Sequence, residues 1–325
     1  MRKFNLQLIS MLSIGALLLA AASSQAVAQS NNESSESSGQ RADKGFVASV
    51  PNPRFAAGTG PRVAIDGGHG NYHTATGRYQ PFAEVLRADG YQVQSIASRF
   101  SSKSLAGIDV LVIANALAER NQRDWSLPTP SAFADTEIAT LATWVRDGGS
   151  LMLIADHMPF PGTAEALASE FGLELFNGFV FDKDRNGSLR FDAGENKLMH
   201  LPVKSSSDSK SSIKWVQTFT GSCFKGDSSF SPLFVLGTDC YSLEPQVAWE
   251  FDSDTPRRDV SGYWQAAVRD FGQGRMAMFG EAAMFTAQQS RGARKFGLAH
   301  PDAEFNQRFL LNIVHWLAKS KTKDD

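Results

Sequence analysis

The sequence predicts an α/β fold, a three-layer sandwich in which a mostly parallel sheet carries helices on both faces. Short, fully apolar runs of strand length alternate with segments whose apolar residues recur at helical spacing, as in strand–helix–strand units. Residues 173–262 interrupt this alternation with short apolar runs among many Ser, Asp and Gly residues. We therefore expect added strands of mixed direction and long loops in this middle region.

The individual elements can be assigned in order along the chain. Before residue 173 we expect strands at 63–66, 91–96, 110–114 and 150–155, and helices at 78–89, 135–147 and 164–171. After residue 262 we expect strands at 263–268 and 275–280 and a final helix at 302–318. The helix limits follow from Pro81 in a first turn, Gly90 and Gly148 as terminators, and Asp135 as an N-cap.

The two ends of the chain differ in composition from the middle. Residues 1–28 combine Arg2 and Lys3 with an apolar run and an Ala-Val-Ala site, which is typical of a secretory signal peptide cut after Ala28. Residues 29–50 are rich in Ser, Asn, Glu and Gly and are expected to form a disordered linker. One folded domain over 51–320, a solvated tail over 321–325 and a periplasmic or secreted protein without a membrane span are expected.

Net charge and cysteine content indicate which partners and which cysteine chemistry to expect. Cleavage after Ala28 leaves 30 basic and 34 acidic residues, a formal charge of −4, so no nucleic-acid partner is expected. Cys223 and Cys240 are the only cysteines of the sequence. In an oxidising compartment such a pair is predicted to form a disulfide.

Three of the predicted strands end in ionisable side chains, the first of them in a glycine-rich loop. The carboxyl ends of parallel strands meet at one edge of a sheet, so we expect these side chains to line one concave pocket there, with the Trp125 loop near its rim. Each strand end taken alone is equally well explained by helix capping and satisfied loop amides, but their convergence favours a functional site. The candidate catalytic residues are Asp66, His69, His73, Asp156, His157 and Glu281.

Two kinds of chemistry fit this set. The imidazoles of His69, His73 and His157, with the neighbouring carboxylates, offer ligands for a divalent metal that keeps an open position for water. The same groups equally form a metal-free acid–base pair. The His-x₃-His spacing does not decide between them, because zinc enzymes place such a pair on a helix and here it lies in a loop.

A separate motif lies at residues 182–189. Asp182, Asp184, Asn186 and Gly187 match the first positions of a calcium-binding loop. The closing Glu of such a loop is replaced by Ala193, and no helical pattern flanks the segment. A polar surface turn is therefore the favoured interpretation, and a structural calcium site is the alternative.

Three segments together resemble the class I glutamine amidotransferase-like superfamily, in particular its uncharacterised exported bacterial members. They are residues 64–91, 144–162 and 274–288, with the closing helix at 306–317. The resemblance implies a flavodoxin-like fold. In the enzymatic branches a cysteine on a strand-to-helix elbow acts as nucleophile, whereas the comparable positions here read Asp156, His157 and Met158. The resemblance therefore does not imply amidotransferase chemistry.

Two functional hypotheses follow. The first is an exported hydrolase whose Asp/His/Glu polar or metal site acts on a small polar or carbohydrate-like substrate. The alternative is a non-catalytic ligand-binding or scaffold module that kept the fold and lost the nucleophile.

Overall fold

The computed structural model describes residues 40–195, 198, 213–290 and 292–319. The predicted signal peptide, the first part of the predicted linker (residues 29–39) and the predicted tail lie outside the described residues. No α-helix of the described part is long and apolar enough to cross a membrane.

The described residues form four α-helices and a large sheet with smaller sheets around it, which confirms the α/β class. The helices are α1 (Gln80–Ala88), α2 (Asp135–Arg146), α3 (Phe160–Glu170) and α4 (Asn306–Leu317). The strands are β1 (Gln40–Ala42), β2 (Arg62–Asp66), β3 (Gln92–Ile96), β4 (Val110–Ala114), β5 (Ser150–Ile154), β6 (Leu173–Phe176), β7 (Phe179–Phe181), β8 (Arg190–Asp192), β9 (Trp215–Gln217), β10 (Cys223–Gly226), β11 (Ser231–Val235), β12 (Tyr241–Leu243), β13 (Arg257–Asp259), β14 (Trp264–Phe271), β15 (Gly274–Phe279), β16 (Ala287–Ser290) and β17 (Lys295–Gly297).

The large sheet has nine strands and divides into a parallel and an antiparallel half. Strands β3, β2, β4, β5 and β15 lie side by side in this order and are parallel to one another. Beyond β15 the sheet continues with β14, β10 and β6, all antiparallel to their neighbours, and β11 also pairs with β14. The carboxyl ends of the five parallel strands therefore meet at one edge of the sheet.

Both faces of the central parallel strands β4 and β5 are buried, which explains why they are apolar without alternation, whereas the edge strand β3 is largely exposed. Val110 and Val112 of β4 belong to one hydrophobic cluster, and Leu111 and Ile113 belong to another. Helices α1 and α4 contribute side chains to the first cluster, and α2 and α3 contribute to the second. Each face of the sheet thus has its own hydrophobic core.

Helix boundaries differ from the expected ones where local hydrogen bonds decide them. Helix α2 begins at Asp135 and its N-cap is Ala134, because the Glu137 carboxylate accepts the backbone N–H of Ala134 at 3.1 Å. The expectation that Asp135 itself caps this helix was wrong. Helix α3 begins at Phe160, four residues earlier than expected, and α4 begins at Asn306, four residues later.

The predicted linker is ordered from residue 40 onward. Strand β1 pairs antiparallel with β16, and the N–H of Asp43 donates to the carbonyl of Ala287 at 3.0 Å. The Asp43 carboxylate, which is mostly buried, forms an ion pair with Lys295 at 3.0 Å. Backbone pairing with β16 and the packing of Phe46, Ala48 and Val50 against the first hydrophobic cluster hold residues 40–50 in place.

The predicted disulfide is absent from the structure. Cys223 and Cys240 are not bonded to each other, and both are buried in the hydrophobic cluster to which α1 and α4 contribute. Burial raises the pKa of the Cys223 thiol well above its ordinary value. Both side chains therefore pack as small hydrophobic groups, which sequence spacing alone does not distinguish from a bonded pair.

Candidate functional site

A cavity of about 1340 Å³ opens at the carboxyl edge of the parallel strands. Its wall contains three of the six predicted site residues, namely His73, Asp156 and His157. Trp125 also lines it, in agreement with the expected position of its loop. The other three predicted residues, Asp66, His69 and Glu281, are buried and do not line the cavity.

His69 is locked between two carboxylates. Its Nδ1 lies 2.9 Å from Asp66 and its Nε2 lies 2.9 Å from Glu137, and all three side chains are almost fully buried. The ring also stacks on Phe100, with the ring centres 4.4 Å apart. Glu137 belongs to α2, so the triad connects the loop after β2 to the helix on the second face of the sheet.

The electrostatics of His69 favour a structural role. Burial opposes protonation, but the hydrogen bonds and charges of Asp66 and Glu137 outweigh it and raise the pKa of His69. Both ring nitrogens are occupied by carboxylate oxygens, which leaves neither for a metal or a substrate. The predicted catalytic and metal-ligating role of His69, with Asp66 beside it, is therefore not supported by this geometry.

His73 is held by Asn115, which follows β4. The amide oxygen of Asn115 accepts the N–H of Asp156 at 2.9 Å, and this fixes the amide orientation. Its nitrogen therefore faces Nδ1 of His73, 3.0 Å away, and donates to it. Burial above all, with the charges of Arg78 and His157, lowers the pKa of His73 well below its ordinary value. The neutral ring thus carries its proton on Nε2.

His157 has the opposite arrangement of ring nitrogens. Its Nδ1 lies 2.7 Å from the carbonyl of Met158, and because a carbonyl only accepts, Nδ1 carries the proton. Burial lowers the pKa of His157 to about 4, against the raising effect of the Met158 carbonyl. The ring stacks on Phe179 with centres 4.6 Å apart, and the edge of Trp249 approaches to the same distance. Its Nε2 is therefore an acceptor.

Asp156 and Glu281 end neighbouring strands and are both buried. Asp156 accepts the N–H of His157 at 2.8 Å and that of Ala282 at 3.4 Å. Burial raises the pKa of Asp156 to about 7, against the lowering effect of these hydrogen bonds. Burial and the charge of Asp156 raise the pKa of Glu281 well above its usual range. Two adjacent buried carboxyls disfavour the state in which both are ionised.

Glu281 acts as a cap. Its carboxylate oxygens accept the N–H groups of Ala283 and Met284, each at 2.8 Å, at the start of a short 3₁₀ turn. The side chain has no exposed surface. It therefore lies behind the cavity wall, and the expectation that it lines the pocket was wrong.

The arrangement does not fit a divalent metal. Within the described ranges no group of three or more His, Cys, Asp and Glu side chains is placed to hold an ion. His69 has both nitrogens occupied, and Nδ1 of His73 and of His157 is occupied by Asn115 and Met158 respectively. The metal alternative for these histidines is therefore not carried further.

The loop at residues 182–189 closes on itself. One oxygen of Asp182 accepts the N–H groups of Asp184 and Asn186 at 2.9 and 2.8 Å, and the other accepts the Asn186 amide at 3.2 Å. Asp184 pairs with the exposed Lys183. The motif is therefore built as a polar turn, in which the Asp182 and Asp184 oxygens accept hydrogen bonds from groups of the loop itself.

Aromatic and basic side chains complete the cavity. Trp125 lies 5.3 Å from Tyr72 and 5.3 Å from Phe160, measured between ring centres, and Trp249 is half exposed at the opening. The basic residues of the wall are arginines, whereas Asp156 is its only carboxylate among the described residues. The arginines that line the cavity are Arg78, Arg123 and Arg294.

Several of these residues were missed by sequence reasoning. Asn115 directly follows a buried strand, which is the same signal that identified Asp66 and Asp156, and its backbone φ of 52° marks it as unusual. β4 lies between β2 and β5 and pairs with both, so Asn115 occupies the middle of the strand edge. Trp249 and Arg78 carried no such signal, because their places depend on tertiary packing.

Comparisons with known proteins show similarity of fold. The mmIFT52 N-terminal domain has a TM-score of 0.55 at 14% sequence identity, over 80% of this chain and 98% of that one. A ThuA-like protein of Bacteroides uniformis has a TM-score of 0.46 at 9% identity, over 85% and 95%. A cytoplasmic protein of Salmonella typhimurium has a TM-score of 0.45 at 12% identity, over 79% and 99%. No protein-family model matches the chain, and neither does any curated protein.

Proposed function

We propose that the protein binds a small polar, carbohydrate-like ligand in the cavity at the carboxyl edge of the parallel strands. One observation carries the proposal: the wall offers a ring N–H donor on His73 and a bare ring acceptor on His157, beside the indoles of Trp125 and Trp249. A sugar hydroxyl both donates and accepts, and the apolar face of a sugar ring packs on aromatic side chains.

The geometry supports binding better than hydrolysis. The residues that were expected to form one catalytic set are divided among a buried triad at His69, a buried cap at Glu281 and the cavity wall. Neither cysteine lines the cavity. A binding module that lacks the nucleophile of the class I glutamine amidotransferase-like superfamily accounts for this division.

The strand order supports the relationship to that superfamily. Numbered among themselves along the chain, the five parallel strands follow the order 2-1-3-4-5, which is the flavodoxin-like order. The position where the order reverses lies between β2 and β4, and ligands of such sheets bind outside this point. We infer a flavodoxin-like three-layer arrangement with its ligand at the place that this arrangement favours.

A ligand titration followed by tryptophan fluorescence tests the proposal, because Trp125 and Trp249 line the cavity. Neutral and charged oligosaccharides added to the full chain should change the emission with saturation. His157→Phe keeps the stacking on Phe179 but lacks the ring acceptor, and it should weaken binding by about tenfold, the loss of one good hydrogen bond. Trp144→Phe is the matched control, since Trp144 lies outside the cavity wall. A response to no saccharide, or a response that needs Trp144, would reject the proposal.

Hydrolysis remains the second candidate because of one observation on Asp156. Its pKa of about 7 suits a general acid or base at neutral pH, and its side chain reaches the cavity. If the protein hydrolyses esters or glycosides that bind in the cavity, Asp156→Asn should abolish turnover and leave binding in place. Binding without turnover in the wild-type protein would exclude this candidate.

We further propose that the protein is exported and that its leader is cut after Ala28, on the pattern of residues 1–28. Expression of the full chain with a carboxyl-terminal tag, followed by cell fractionation and N-terminal sequencing, tests this. A cytoplasmic product that still begins at Met1 would contradict it.

A further inference from the structure

The charge balance of the cavity wall points beyond a neutral ligand. Three arginines line the cavity, and the single carboxylate among the described wall residues is Asp156, which carries little negative charge below about pH 7. The two histidines of the wall are neutral. The cavity is therefore positively charged.

Arg78 is the arginine with the most specific setting. Its guanidinium donates to the Gln288 amide oxygen at 2.6 Å and to the Tyr72 hydroxyl at 2.8 Å. Both partners are uncharged, and Arg78 forms no ion pair with a carboxylate of the described chain. The side chain is only partly exposed, and burial lowers its pKa from the ordinary value. A partly buried cation without an anion is costly, which makes an anion in the cavity favourable.

The position of Arg78 connects this charge to the aromatic wall. Its guanidinium carbon lies 4.4 Å from the centre of the Tyr72 ring, and Tyr72 in turn contacts Trp125. The proximity of Arg78 also contributes to the low pKa of His73. An acidic group at Arg78 would therefore place the attached ring beside Tyr72 and Trp125 and within reach of the His73 donor.

Arg123 and Arg294 lie on the exposed part of the wall. The Arg123 side chain makes no hydrogen bond or ion pair with the described residues, and the Arg294 guanidinium lies over the ring of Phe296. The cavity, at about 1340 Å³, exceeds the usual range of about 300–1000 Å³ for pockets that hold one small molecule. Its size and the spread of its arginines fit a ligand with more than one ring and more than one charge.

Building on the proposed function, we propose that the ligand is an acidic oligosaccharide whose carboxylate or sulfate group pairs with Arg78. The planar guanidinium donates to two oxygens of either group at once. Arg123 and Arg294 would meet further acidic groups near the opening, and the aromatic wall would hold the sugar faces.

Fluorescence titrations of the full chain test this with trigalacturonate, a sulfated galactose trisaccharide and the neutral galactotriose. At least one acidic ligand should bind about tenfold or more tightly than the neutral one, as expected for a charge-assisted hydrogen bond. Comparison of the carboxylated with the sulfated trisaccharide shows which acidic group is preferred. The preference should shrink between about 0.05 and about 0.5 M salt. Arg78→Gln should weaken binding of the acidic ligand by more than binding of the neutral one, so that the preference for the acidic ligand is lost. Arg78→Lys should have an intermediate effect, because lysine keeps the positive charge but cannot donate two parallel hydrogen bonds to one acidic group.

The matched control is Arg87→Gln. Arg87 lies on α1, which begins two residues after Arg78; it is exposed and does not line the cavity, so the same loss of charge should change nothing. Equal affinity for acidic and neutral ligands would overturn the acidic preference while leaving the proposed function standing. A preference that survives Arg78→Gln, or equal losses for both ligand types, would overturn the role of Arg78. If no saccharide binds, the proposed function fails together with this inference.

Discussion

The Asn115 side chain donates to Nδ1 of His73 at 3.0 Å and thereby sets the polarity of a ring in the cavity wall. The amide cannot rotate freely, because its oxygen accepts the N–H of Asp156. The chemical form of His73 is therefore determined by a residue that follows a different strand. A ligand bound as proposed would meet a ring N–H at this point and an unprotonated nitrogen at His157.

This relationship predicts the effect of Asn115→Asp. The carboxylate would still accept the Asp156 N–H, but it would replace the amide donor beside His73 with a negative acceptor. The proton of His73 should move to Nδ1 and the pKa of the ring should rise, since a nearby opposite charge favours the imidazolium. Two-dimensional ¹⁵N NMR of the histidine rings measures both changes. Ring nitrogen shifts of His73 identical to those of the wild-type protein would contradict the assigned network.

The buried triad of Asp66, His69 and Glu137 predicts a pH-dependent stability. The pKa of His69 is raised in the folded state, so its contribution is complete below the unfolded value of 6.5 and is lost as the pH rises through the higher folded value. His69→Asn removes the ring from between two buried carboxylates and should cost about 3–5 kcal/mol. Urea unfolding monitored by circular dichroism on both sides of this pH window measures the effect.

The control for this prediction is a variant of Arg99, the second cationic side chain that contacts Glu137. Arg99 also pairs with this carboxylate, at 3.2 Å, but its side chain is 68% exposed. Arg99→Gln should therefore cost less than about 1 kcal/mol. If the two variants destabilise the protein equally, the stabilisation does not come from the buried histidine.

The parallel half of the sheet could be predicted from the sequence because its signals are local. Fully apolar strands such as 110–114 and 150–155 are buried on both faces, and a continuous apolar run is sufficient to identify them. The ends of these strands also identified Asp156 and Asp66 as polar residues at the functional edge. The antiparallel half could not be ordered, because short strands such as β6 and β10 pair across long separations in sequence.

The division of the candidate site could not be predicted for a related reason. A histidine in a loop gives no sign of which carboxylate it will face, and the partner of His69 is Glu137, 68 residues away in sequence. Glu281 follows a buried strand as Asp156 does, but only the turn at 283–285 makes it a cap. The sequence places the histidines and acids at strand ends, whereas their partners depend on packing.

The two buried thiols give a third prediction. Cys223 and Cys240 should react with a thiol reagent only after unfolding, because both are buried and burial raises the pKa of Cys223. Unfolded protein that has never met a reductant should yield two thiols by colorimetric titration. Mass spectrometry of peptides alkylated under denaturing conditions should find both residues modified. A yield near zero, with a mass two hydrogens lower, would show a disulfide instead.

The last prediction concerns Asp156, whose pKa is raised by burial from an ordinary 3.8 to about 7. Between these two values the folded protein holds a proton that the unfolded chain has released, so the free energy of unfolding should fall as the pH rises from about 4 to about 7. Each pKa difference of one corresponds to about 1.4 kcal/mol, so the fall should amount to a few kcal/mol.

Asp156→Asn removes this titration and should flatten the slope. The amide oxygen still accepts the His157 N–H, while its NH₂ would face the Ala282 N–H, whose bond to Asp156 is long at 3.4 Å. Losing the long hydrogen bond from Ala282 lowers the free energy of unfolding by a similar amount at every pH. It therefore does not change the difference in slope between the variant and the wild-type protein. Part of the slope should persist, because the neighbouring Glu281 stays buried and keeps a raised pKa. Urea unfolding of both proteins across this pH range measures the two slopes. Equal slopes would mean that Asp156 is ionised throughout the range. Asp156 would then not be the general acid or base that the hydrolytic alternative requires.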